Sequence, residues 1–110
     1  MDDSDAVNGF AALAHGTRLE VFKTLIAAGP DGLAAGKLSD TLQVSPSNLS
    51  AHLASLSQSG LITVRAEGRS RIYAVDLDRV AALVDFLVAD CCRGHPEVCH
   101  PIVQAMGRAC

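Results

Sequence analysis

The sequence predicts a mainly α-helical fold carrying one β-hairpin, an α+β arrangement in a single small domain. Three observations predict it. Apolar residues recur three or four apart over most of the chain, as helices with one buried face require. Between positions 61 and 75 that pattern gives way to two strand-like runs around Glu67-Gly68-Arg69, a glycine turn. After Asp76 the helical spacing resumes and runs to Cys91.

Each element follows in order. Over residues 6–14, Val7, Phe10, Ala11 and Ala14 fall at helical spacing. The Ala14-His15-Gly16-Thr17-Arg18 segment breaks that helix, and Thr17 is placed to cap the next one. Leu19, Phe22, Leu25 and Ile26 form its apolar face as far as about Ala28, where Gly29-Pro30-Asp31-Gly32 stops it. A short helix over 34–42 packs Leu38 and Leu42, and Gln43-Val44 makes a turn. Ser45 caps the following helix, and Pro46 takes its first position, where a missing N–H costs nothing. Leu49, Leu53 and Leu56 supply its buried face, and Gly60 ends it. Residues 61–65 and 71–75 are the two strands. The last helix carries a stripe of Leu77, Val80, Ala81, Val84, Leu87, Val88 and Cys91.

Composition narrows the class. A chain of 110 residues, 49% hydrophobic and without tryptophan, packs one core from Leu, Val, Ile and Ala. No run of eighteen apolar residues occurs, and Met1-Asp2-Asp3-Ser4-Asp5 is too acidic for a secretory signal. The expectation is a cytoplasmic chain that neither spans nor binds a membrane. All four cysteines lie in the last twenty residues and two are adjacent, which opposes a disulfide scaffold. The formal net charge is −3, yet residues 37–71 hold Lys37, Arg65, Arg69 and Arg71 against only Asp40 and Glu67. A basic zone on an acidic body suits docking on a duplex in one orientation. No phosphate-binding loop and no Cys-x-x-Cys is present, so an enzyme is not expected and no catalytic residue is assigned.

Two helices joined by a tight turn and followed by a two-stranded wing make a winged helix-turn-helix. A second helix of about fourteen residues spans roughly 21 Å, ample to enter a major groove. With its leucines buried, Ser47, Asn48, Ser50 and His52 remain on the outer face, with Ser45 at its start. Asparagine suits an adenine edge; serine and histidine suit base edges or phosphate. The helix has no Lys or Arg, so Arg65, Arg69 and Arg71 on the wing become the candidate phosphate contacts. The alternative is an ordinary solvated face.

The stretch from Phe10 to Leu19 (FAALAHGTRL) resembles the opening of the ArsR/SmtB family of metalloregulatory repressors, with Gly16 where a proline is common. Val44-Ser45-Pro46-Ser47-Asn48-Leu49-Ser50-Ala51-His52-Leu53 is similar to its recognition helix, and Gly60-Leu61-Ile62 through Glu67-Gly68-Arg69 to Ile72-Tyr73 is similar to its wing. The resemblance covers about positions 7–90. It implies a homodimer that binds operator DNA, represses transcription and dissociates when an inducer binds. It divides the chain into a DNA-binding and dimerisation domain over 1–92 and a sensor tail over 93–110.

Effector sites differ within that family. One kind places cysteines in the first helix of the helix-turn-helix pair, but Leu33-Ala34-Ala35-Gly36-Lys37-Leu38 has no ligand side chain. Another pairs Asp with His along the last helix, which here has Asp76, Asp78, Asp85 and Asp90 but no histidine before His95. There remain Cys91, Cys92 and Cys99, similar to the C-terminal vicinal cysteines of some arsenic-responsive members. Soft thiolates select soft acceptors, and trivalent arsenic takes three of them in a pyramid. Arsenic(III) is therefore the expected inducer. Zinc, cadmium or lead, with His95 or His100 as a further ligand, and thiol oxidation stay open as alternatives. Cys110 is read as a bystander.

Overall fold

The computed structural model describes residues 1–91 together with Pro101 and Gln104. Within residues 1–91, five helices and three short strands follow in the order α1 (Asp3–Leu13), α2 (Gly16–Ala28), β1 (Leu33–Ala34), α3 (Ala35–Leu42), α4 (Pro46–Gln58), β2 (Ile62–Glu67), β3 (Ser70–Val75) and α5 (Leu77–Cys91). A single 3-10 turn, Gly29–Asp31, links α2 to β1. Helices α2, α3 and α4 enclose a core of Val21, Leu25, Leu38, Leu49, Leu53 and Leu56, closed from one side by Leu61 and Ile62 and from the other by Ala6, Ala12 and Leu83. The winged helix-turn-helix expected from the sequence is the fold observed.

Several local expectations change. Helix α1 begins at Asp3 rather than Ala6, because Asp2 and Asp5 cap each other's backbone reciprocally: Asp5 N–H donates to Asp2 Oδ1 at 2.8 Å and Asp2 N–H donates to Asp5 Oδ2 at 3.3 Å. Its buried face is Ala6, Gly9 and Ala12, whereas Val7 and Phe10 are exposed. Small residues face inward because α5 approaches closely: a Cβ on Gly9 would lie 3.2 Å from the Leu83 side chain. Helix α2 is capped by His15, whose Nδ1 accepts the Thr17 N–H at 3.2 Å, not by Thr17. It buries Val21 and Leu25 completely and leaves Leu19 and Ile26 exposed.

The predicted start of the third helix at Ala34 gives way to a two-residue strand. β1 pairs antiparallel with β3, Leu33 opposite Tyr73 and Ala34 opposite Ile72, so the wing belongs to a three-stranded sheet in the order β1-β3-β2. Gly32 makes that contact possible, since a Cβ there would sit 2.2 Å from the Tyr73 carbonyl oxygen. The hairpin register is Ile62↔Val75 through Glu67↔Ser70, which leaves Gly68 and Arg69 as a two-residue loop with Gly68 at φ 63°.

In the last helix only part of the stripe read from sequence, Val80, is packed against its own chain's core. Leu83 is the buried residue, with Val80 and Phe86 packed at the core margin, while Leu77, Val84 and Leu87 are exposed. Arg79 Nη2 reaches Asp5 Oδ1 at 3.6 Å and ties α5 to α1 across that packing. No helix among the described residues is long and apolar enough to cross a membrane.

Candidate nucleic-acid interface

Helix α4 starts where the sequence placed it. Ser45 Oγ accepts the Asn48 N–H at 3.4 Å, Pro46 occupies the first position, and Leu49, Leu53 and Leu56 are at most 1% exposed. The turn before it depends on Gln43 in the left-handed region (φ 54°) and on Ser39, whose hydroxyl donates to the Val44 carbonyl at 2.6 Å. The left-handed Gln43 and this bond close the turn between α3 and α4. Burial of the leucines leaves Ser45, Ser47, Asn48 and Ser50 exposed together on the first two turns, in a group without charge.

His52, assigned to the same face, stands apart from it. It is half-buried, and its ring lies against His15 with centroids 4.6 Å apart at 44°. Burial, then the neighbouring His15 and Arg18, lower its pKa from the ordinary 6.5, favouring the neutral imidazole. Its place is at the junction of α4 with the start of α2.

The wing arginines divide in two. Arg65 is engaged: its Nε donates to Glu67 Oε2 at 3.3 Å and its Nη2 to the Asp31 carbonyl at 2.8 Å, bracing the wing against the turn after α2. Opposed residues in a ladder share a face, so Arg65 with Ile72 and Arg71 with Ala66 project from opposite sides of the hairpin. Arg69 and Arg71 instead line a cleft of about 370 Å³ with Ala34, Ala35, Gly36 and Ser70. Ala34 is the N-cap position of α3 and Ala35 and Gly36 open its first turn, which has no side-chain cap. Backbone N–H groups left open at a helix start and two guanidinium groups together favour a phosphate. The sequence had singled out the arginines; the helix start escaped because Ala-Ala-Gly carries no polar signal.

Cys91 is the last residue of α5. Cys92 and Cys99, with His95, His100 and Cys110, lie outside the described residues. Among the described residues no group of three or more His, Cys, Asp and Glu is arranged to hold a metal ion.

Comparison with known proteins bears on this arrangement. Residues 13–65 match a family described as a helix-turn-helix domain. The transcriptional activator HlyU of Vibrio cholerae serotype O1 is 33% identical over 86 residues, 78% of this chain and 77% of that protein. A structure described as reduced HlyU from the same species superposes with a TM-score of 0.63 at 32% identity, covering 82% of this chain and 92% of that one. A possible transcriptional regulator for arsenical resistance superposes with a TM-score of 0.65 at 27% identity, over 74% of this chain and 82% of that one. The fold alone is shared with the homodimeric winged helix-turn-helix domain of a possible ArsR-family regulator from Mycobacterium bovis, at 23% identity, a TM-score of 0.65 and coverage of 84% and 90%.

Proposed function

The chain belongs to the ArsR/HlyU type of helix-turn-helix transcriptional regulators, and from that premise we propose that it is a cytoplasmic, homodimeric repressor that leaves its operator when trivalent arsenic binds its cysteines. One observation carries the DNA-reading part: α4 buries all three leucines while Ser45, Ser47, Asn48 and Ser50 stay exposed together on its first turns. Such a surface offers hydrogen bonds to base edges in a major groove. Arg69 and Arg71 beside the start of α3 supply phosphate contacts, and Arg65 steadies the wing that presents them. The role is that of a binding protein, not an enzyme.

Two exposed apolar faces support the dimer. Val7 (64% exposed) and Phe10 on α1, and Leu77 (59%), Val84 and Leu87 (47%) on α5, leave much apolar side-chain area uncovered in a chain this small. A second copy that buries them sets two α4 helices side by side.

The donor chemistry of Cys91, Cys92 and Cys99 supports the inducer: three thiolates suit a soft trivalent ion better than a hard one. Cys91 joins that group to the helix that forms the proposed seam, so a change at the thiols acts on the spacing of the two reading helices. A coupling of about 1–3 kcal/mol lowers operator affinity roughly 5- to 150-fold. A second reading, a response to thiol oxidation, draws on the relative whose structure is described as reduced.

Fluorescence anisotropy of a bound duplex, titrated with arsenite under reducing conditions, tests the proposal. Arsenite should release the DNA, and Cys92→Ser should bind DNA normally but not respond. Unchanged binding at saturating arsenite removes arsenic from the reading. Release by diamide alone moves the reading to thiol oxidation.

A further inference from the structure

We propose that the junction of α1, α2 and α4 is a binding site for a small oxyanion, a phosphate or carboxylate group free or carried on a small organic molecule, held by Arg18. A cleft of about 420 Å³ opens there, lined by Asn8 of α1, Arg18 of α2, and Ser55 and Gln58 of α4. That volume lies in the range of small-molecule sites. Arg18 is half-buried and its Nε is fully shielded from solvent, yet no hydrogen bond or ion pair joins it to another described residue. A shielded N–H without an acceptor is rare, because withdrawing a polar group from water is costly unless an acceptor replaces it.

The lining explains which acceptor fits. No carboxylate is among the residues that form the cleft, so nothing in its lining neutralises the Arg18 charge. Asn8, Ser55 and Gln58 each contribute a side-chain donor that can complete the coordination of an oxyanion. A guanidinium fork with amide and hydroxyl donors around it matches phosphate or carboxylate oxygens. Ser59, on the cleft's inner wall, has its hydroxyl committed to the Leu56 carbonyl at 2.7 Å and is not part of the donor set. Because Ser55 and Gln58 stand on α4 itself, a bound anion fastens the reading helix to α1 and α2.

Arginine Nε–H resonances of the ¹⁵N-labelled full chain test this directly. Inorganic phosphate is titrated against sodium chloride at constant ionic strength and pH 7.5. The Arg18 Nε–H is expected to shift saturably with phosphate, together with the Asn8 and Gln58 side-chain amides. Arg18→Gln is expected to lose about tenfold or more in phosphate affinity, as the loss of a charge-assisted bond implies, whereas Lys23→Gln, at an exposed position of α2 outside the cleft, keeps it. Should Arg18→Gln fail to fold, the wild-type resonance still decides. An Arg18 Nε–H that stays still under phosphate, or moves equally with chloride, overturns the proposal. So does one that moves only when duplex DNA is added, which would assign the guanidinium to a backbone phosphate.

Discussion

Helix α4 and helix α5 both carry apolar stripes, but only that of α4 is fully covered by its own chain. Leu49, Leu53 and Leu56 of α4 disappear between α2, α3 and the start of the sheet, whereas Leu77, Val84 and Leu87 of α5 face outward with Val7 and Phe10 of α1. The same contrast runs through α1, where Ala6, Gly9 and Ala12 are buried while Val7 and Phe10 are exposed. Periodicity announces that a face will be buried; it does not say by what. The α4 half is closed within one chain, and the α1/α5 half leaves uncovered the apolar residues that the proposed dimer would bury.

That contrast can be broken from either side. The largest effect is expected in the covered half: Leu53→Ala should cost about 2–5 kcal/mol of stability in urea unfolding, and a loss under about 1 kcal/mol would mean that α4 is not core. In the uncovered half, Leu87→Glu should leave the fold's thermal transition almost unchanged while converting dimer to monomer in sedimentation. A marked fall in stability with no change in mass would show that Leu87 serves its own chain.

Smaller effects separate roles within the reading half. Asn48→Ala should lose about 1–3 kcal/mol of sequence discrimination, roughly 5- to 150-fold, at unchanged stability. Arg69→Gln and Arg71→Gln should each reduce the slope of log affinity against log salt by about 0.9, and Arg65→Gln by less, since its guanidinium is already engaged by Glu67 and Asp31. Equal slopes for all three would erase the division of the wing. The smallest effect belongs to His52. Its folded pKa lies below the ordinary 6.5, so the unfolded chain binds the extra proton first. Stability is then full above about pH 6.5 and declines as pH falls from there towards the lowered folded value. His52→Gln should flatten that decline in unfolding measured from pH 7.5 to 5.5.

What the sequence made legible was what local chemistry decides. Ser45, Pro46 and Gly60 marked α4, and Gly68 marked the hairpin, because caps and turns are written in a few neighbouring residues. What it hid depends on distant partners. Two residues are too short to show alternation, so β1 emerged only from its pairing with Tyr73 and Ile72. His15 took the cap from Thr17 because the chain turns at the histidine. Ser45, Ser47, Asn48 and Ser50 are exposed as their spacing implied, while His52, one turn further, meets a neighbouring element. Arg18 gave no sign of its unpaired state, since nothing in its neighbours tells where a guanidinium will stop.

Selection of duplexes from a randomised pool by the full-length protein probes both halves at once. Two α4 helices held by an α1/α5 seam should enrich an inverted repeat whose half-sites are centred about one helical turn apart, roughly 10–10.5 base pairs or a multiple of it. Enrichment of a lone, asymmetric half-site would sink the dimer, and failure to enrich any sequence would sink the assignment of α4 as the reader.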